Sequence, residues 1–102
     1  MKEYDIFLPL YYNDGQPVEG DKLQDVQSVL LAEFEGLTFF SQPNQGFWKM
    51  GEVTYRDEIV ILRVIATNAR SARKFLRQMK EELKRSFRQE EIFIIERDVS
   101  TL

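Results

Sequence analysis

Between Trp48 and Arg63 the chain gathers the side chains best suited to touch a ligand: the indole of Trp48, the carboxylate of Glu52, the phenol of Tyr55 and the guanidinium of Arg63. Trp48 and Glu52 share strand parity, and Gly46 and Gly51 on either side permit close backbone approach. An indole with one polar edge suits a pocket wall or an interface, although a lone Trp beside glycines equally suits a packing role. Arg63 sits among Ile59, Ile61 and Ile65 on one strand face, and a guanidinium in that setting needs an anion. A ligand, a cross-strand carboxylate or a partner chain would supply it.

Glu52, Asp57 and Glu58 could serve as acid and base if burial raised one of them, but their position near a hairpin favours solvation. The 102 residues contain no histidine and no cysteine, which removes the side chains most used for proton transfer at neutral pH, thiol chemistry and zinc binding. Its five glycines match neither Walker nor dinucleotide-loop spacing. The sequence therefore assigns no catalytic residue, no metal ligand and no cofactor.

A second constellation is basic. Arg73, Arg77, Lys80, Lys84 and Arg88 recur at helical spacing, and residues 70–88 hold eight basic and two acidic side chains in a chain of net charge −3. Such a stripe can track phosphates, yet no aromatic residue interleaves it for base stacking. An acidic protein partner, or the chain's own carboxylates, fits better than nucleic acid.

These residues must be carried by a single domain with 43% hydrophobic residues, enough to build a core. Alternation over Tyr4–Tyr12 predicts a strand interrupted near Pro9, and Asn13-Asp14-Gly15 a turn. Asp21 and Gln24 form a capping pair for a helix carrying Leu23, Val26, Leu30 and Phe34, with Gly36 as its stop. Leu37–Ser41 and Phe47–Tyr55 are extended, split by a turn or bulge at Pro43–Gly46. Arg56-Asp57-Glu58 reads as the polar gap of a hairpin before a strong strand at Ile59–Ala66. Asn68 caps a second helix over about 69–88, Ile92–Ile95 closes the sheet, and Asp98–Leu102 is a tail. The order β-α-β-β-α-β predicts an α+β ferredoxin-like sandwich, an antiparallel sheet with both helices on one face.

The other face should then be polar, and it is not. With Ile6, Leu8, Leu10, Val60, Leu62 and Val64 towards the helices, Phe7, Tyr11, Ile59, Ile61 and Ile65 fall on the far side. An apolar face of that kind predicts a homodimer paired sheet to sheet, unless residues 42–55 or the tail cover it. No run approaches the ~18 apolar residues of a membrane span, and the amino terminus lacks a signal-peptide pattern, so the expected location is cytoplasmic.

Phe34-Glu35-Gly36-Leu37-Thr38, Gly46-Phe47-Trp48, Asp57-Glu58 before an aliphatic strand, and Phe87-Arg88-Gln89-Glu90-Glu91-Ile92 occur in that order. Together they resemble a family of small bacterial proteins known as a domain of unknown function, with the pattern F-x-G-L-T, G-x-W and F-x-Q-E. The resemblance spans residues 30–97 and implies no activity. A looser similarity is to dimeric α+β barrel proteins, whose protomers pair through their sheets and often enclose a small-molecule cavity. The leading expectation is thus a non-catalytic homodimeric binding module. The alternatives are an enzyme or sensor whose small-molecule cavity is lined by Trp48, Glu52, Tyr55 and Arg63, and nucleic-acid contact through the basic helix.

Overall fold

A computed structural model describes residues 1–102. The elements are β1 (Lys2–Pro9), α1 (Gly20–Glu33), β2 (Leu37–Met50), β3 (Val53–Ala66), α2 (Ala69–Ser86) and β4 (Ile94–Asp98). The strands form one antiparallel sheet in the order β2-β3-β1-β4. This is the ferredoxin-like α+β arrangement that the alternating pattern predicts.

The core lies between the sheet and the helices. Tyr4, Ile6 and Leu8 stand opposite Val64, Leu62 and Val60 in register, and all six are buried. Val26 and Leu30 from α1, and Ala72, Leu76, Met79 and Leu83 from α2, close over them, with Phe87 and Ile92 sealing one end. The predicted strand parity is the observed one. No helix is long and apolar enough to cross a membrane.

Asn68 caps α2 as expected, its side chain accepting from the Ser71 backbone N–H at 3.1 Å. At the other end Gln89 N–H donates to Lys84 O and Arg88 N–H to Arg85 O, a Schellman closure that puts Arg88 at φ 54°, where glycine is usual. The Arg88 guanidinium lies 4.6 Å from the Tyr12 ring centre, a contact glycine could not make.

Several sequence expectations are corrected. The hairpin turn is not Arg56-Asp57-Glu58, which lies inside β3; Met50 pairs with Val53 around Gly51-Glu52. Gly51 has φ 65°, and a two-residue turn with glycine first matches strand twist, so backbone geometry outweighs side-chain polarity there. The break in β2 falls between Phe40 and Asn44, around Pro43, and the strand is continuous through Gly46. α1 starts at Gly20 without a side-chain cap, because the Glu19 carboxylate is engaged by the Tyr12 hydroxyl and by Lys22. It stops at Phe34, whose ring turns into the core edge-on to Phe75 at 5.8 Å; Gly36 adopts no left-handed conformation. β1 ends at Pro9, so Tyr11 lies in the loop, bridged to Pro17, and off the sheet. Asp98 belongs to β4, opposite Lys2, and Val99 N–H bonds Met1 O.

Leu62→Ala should cost about 2–5 kcal/mol and Asn68→Ala about 1 kcal/mol, read from urea denaturation midpoints at constant m-value.

Candidate functional site

The sheet face away from the helices is divided into two parts. β2 and β3 run on beyond the end of β1 at Pro9, so residues 44–50 and 53–58 form a two-stranded arm. Trp48, directly opposite Tyr55 on that arm, reaches back to stack on Phe93 just before β4, with ring centres 4.8 Å apart and planes at 14°. At this end Pro9 and Ile59 are buried. The chain covers part of its own apolar face, as one of the sequence alternatives requires.

The other end remains open. Ile65, Phe40 and Ile95 are 44%, 39% and 37% exposed, and Ile61 is half-buried. In their midst lies Asp5, only 3% exposed although it points away from the helices. Arg63 Nε donates to Asp5 Oδ1 at 2.7 Å, Arg63 Nη2 to Oδ2 at 3.0 Å, and Arg97 Nη1 to Oδ2 at 2.8 Å. Glu3 also pairs with Arg63, and the Phe40 ring lies 5.0 Å from that guanidinium. The fork–fork contact with Arg63, reinforced by Arg97, holds the Asp5 carboxyl below its ordinary range against the opposing effect of burial. The anion that Arg63 required is thus a pair of cross-strand carboxylates on β1.

The four proposed ligand residues do not converge within one chain. Trp48 and Tyr55 are neighbours, and Glu52 is exposed in the turn. Arg63 lies eight residues beyond Tyr55 along β3, about 26 Å at ~3.3 Å per residue. Of the five predicted interface residues, Ile59 is buried, Phe7 and Ile61 are half-buried, Ile65 is open and Tyr11 is off the sheet.

The basic stripe is largely paired within the chain. Arg73 makes a two-bond contact with Glu96, each 2.6 Å, Lys80 pairs with Glu91 at 2.8 Å, and Lys84 with Glu81 at 3.6 Å. Arg88 packs on Tyr12, leaving Arg77 alone among the five without a charged or aromatic partner.

Two clusters escape sequence reasoning because their members are far apart in the chain. In one, the Tyr4 hydroxyl and Arg73 both bond Glu96, tying β1, α2 and β4 together. Arg73 and Tyr4 hold the Glu96 carboxyl at about 2, while burial and Glu96 push the Tyr4 phenol to about 12. In the other, Lys22 Nζ donates to the Tyr12 hydroxyl and to Ser86 O, each at 2.6 Å, joining α1 to the end of α2.

No family model matches this chain, and no curated protein does. Among solved structures it is similar to a phage SAM lyase in complex with S-methyl-5'-thioadenosine, at 14% identity and TM-score 0.72 over 95% of this chain and 80% of that one. The same enzyme in its apo state gives 15% and 0.71 over 94% and 78%. A point mutant of CutA1 from Pyrococcus horikoshii OT3 gives 16% and 0.63 over 100% and 86%. The shared feature is the ferredoxin-like fold. At such identity the likeness carries the fold alone.

The Tyr4–Glu96–Arg73 cluster makes stability depend on pH in two windows. Between about 4.5 and 2 the unfolded chain binds a proton that folded Glu96 refuses, so stability falls as pH drops through that range. Between 10 and about 12 the unfolded chain loses a proton that folded Tyr4 keeps, so stability falls as pH rises. Urea titrations should show a flatter acid slope in Glu96→Gln and a flatter alkaline slope in Tyr4→Phe.

Proposed function

We propose that this chain is a non-catalytic binding module that acts as a homodimer, joined through the open end of its sheet. The observation that carries the reading is the combination of exposed Ile65, Phe40 and Ile95 with the Asp5 carboxylate, withdrawn from water and held by two arginines, among them. An antiparallel sheet in a monomer ordinarily presents polar residues on its uncovered face. Here covering the aliphatic side chains removes apolar surface at about 25 cal/mol per Å², and the arm offers further exposed apolar area at Phe47, Met50, Val53 and Tyr55. A two-stranded hairpin of that kind is marginal in water without something to pack against. Kinship with the small bacterial family of the F-x-G-L-T and G-x-W motifs is part of the same proposal; Phe34, Phe87 and Ile92 of those motifs serve the core and Trp48 the arm.

Sedimentation velocity across a dilution series tests this. The wild type should show a dimer that dissociates on dilution. Ile65→Asp should stay folded and dissociate at least about tenfold more readily, because an unpaired buried carboxylate costs more than the 1.4 kcal/mol of one decade. A wild type that is monomeric at all concentrations overturns the reading.

A second reading is favoured by the aromatic surface of Trp48, Tyr55 and Phe93, since flat rings beside an exposed Tyr55 can stack a planar base, and the phage SAM lyase of the same fold is seen with S-methyl-5'-thioadenosine. Trp48 is the only tryptophan, so its fluorescence reports directly. Under this reading S-methyl-5'-thioadenosine changes that fluorescence saturably in the wild type and much more weakly in Tyr55→Leu. A flat titration to millimolar ligand removes it.

A further inference from the structure

We propose that the cluster of Asp5, Glu3, Arg63 and Arg97 is the element that sets the register and the stoichiometry of the contact between two copies. This rests on the self-association reading, and it names the residues that make that contact specific.

The argument begins with charge. The uncovered face carries two carboxylates and two guanidinium groups, so two such faces meet without net repulsion, and a two-fold contact places like patches against each other. The acceptor is nearly used up, because both Asp5 oxygens accept from arginine and Asp5 is 3% exposed. The donors are not used up. Arg97 spends Nη1 on Asp5, its side chain is 46% exposed on an edge strand, and its other N–H groups bond no protein atom.

Apolar contacts alone would tolerate slippage, since Ile61, Ile65 and Ile95 offer interchangeable aliphatic surface. The charge cluster does not tolerate it. In a centred contact the spare Arg97 donors of one copy meet the Glu3 carboxylate of the other, which is held by Arg63 alone. A displaced contact presses them against isoleucine and leaves N–H groups buried without acceptors, a loss comparable to or greater than the gain from one covered side chain. A polar group inside an apolar contact can fix register, as a single buried asparagine does in coiled coils.

The test compares two kinds of change. Asp5→Asn leaves Arg97 on each face without its carboxylate and Arg63 with Glu3 alone, and it should weaken association about 30-fold or more, as removal of one member of a desolvated pair does. Arg97→Gln, on the edge strand and half-exposed, gives the same direction should Asp5→Asn fail to fold. The combined variant Glu3→Gln/Asp5→Leu/Arg63→Met/Arg97→Met keeps an apolar face without charge. It should still associate, but sedimentation and native mass spectrometry should resolve more than one oligomeric size where the wild type gives one. If the combined variant forms a single species of wild-type stoichiometry, the cluster does not set the register and the dimer reading stands. If Arg97→Gln associates as tightly as wild type, the role of its donors is overturned. If the wild type itself never associates, both readings fail together.

Discussion

The pairing of β1 with β3 is the constraint from which the rest of the molecule follows. Its register places Tyr4, Ile6 and Leu8 beside Val64, Leu62 and Val60 on the helix side, and side-chain alternation leaves no freedom about what the other side receives. Glu3, Asp5 and Phe7 must face away, opposite Ile65, Arg63 and Ile61. A one-residue slip would move the core set into solvent. The open face is therefore a necessary companion of the core, and its mixture of isoleucine with paired charge is fixed once the core is.

Around that pairing, charge is used to fasten elements that hydrophobic contact alone leaves adjustable. Glu96 draws Tyr4 and Arg73 together at the short edge strand, where only five residues pair with β1. Lys22 spans from α1 to the Ser86 carbonyl at the end of α2, and Arg88 accepts a left-handed backbone conformation while packing over Tyr12. These contacts lie at the rim of the core, partly open to solvent, and their strength comes from hydrogen bonds to charged groups, which are stronger than those between neutral ones. The basic helix is for the same reason less cationic in its surroundings than its composition implies. Three of the five stripe cations are ion-paired within the chain.

The fold was legible because it rests on local periodicity. Alternation along Ile6, Leu8, Val60, Leu62 and Val64, and helical spacing of Ala72, Leu76, Met79 and Leu83, identify both the elements and their inward faces. The element ends were less legible, since they depend on contacts made elsewhere. Phe34 leaves its helix because Phe75 and the core receive its ring, and Arg56-Asp57-Glu58 stays extended because β2 pairs with it, despite a composition typical of a turn. The candidate site followed the same division. Arg63 could be recognised as needing an anion from its aliphatic neighbours, whereas its partners, 58 and 60 positions away at Asp5 and Glu3, could not.

What the sequence by itself determined is the class of the molecule: an α+β chain with two apolar sheet faces, one basic helix, and neither histidine nor cysteine. Those properties are additive over neighbouring residues, so they can be read locally. The tertiary structure alone decided that Trp48 stacks on Phe93 and covers one end of the second face, that Glu52 and Arg63 lie apart from the Trp48–Tyr55 pair, and that Asp5 becomes the buried centre of the other end. Each of these depends on strand register and on the length by which β2 and β3 outrun β1, and such distances exist only once the sheet has formed.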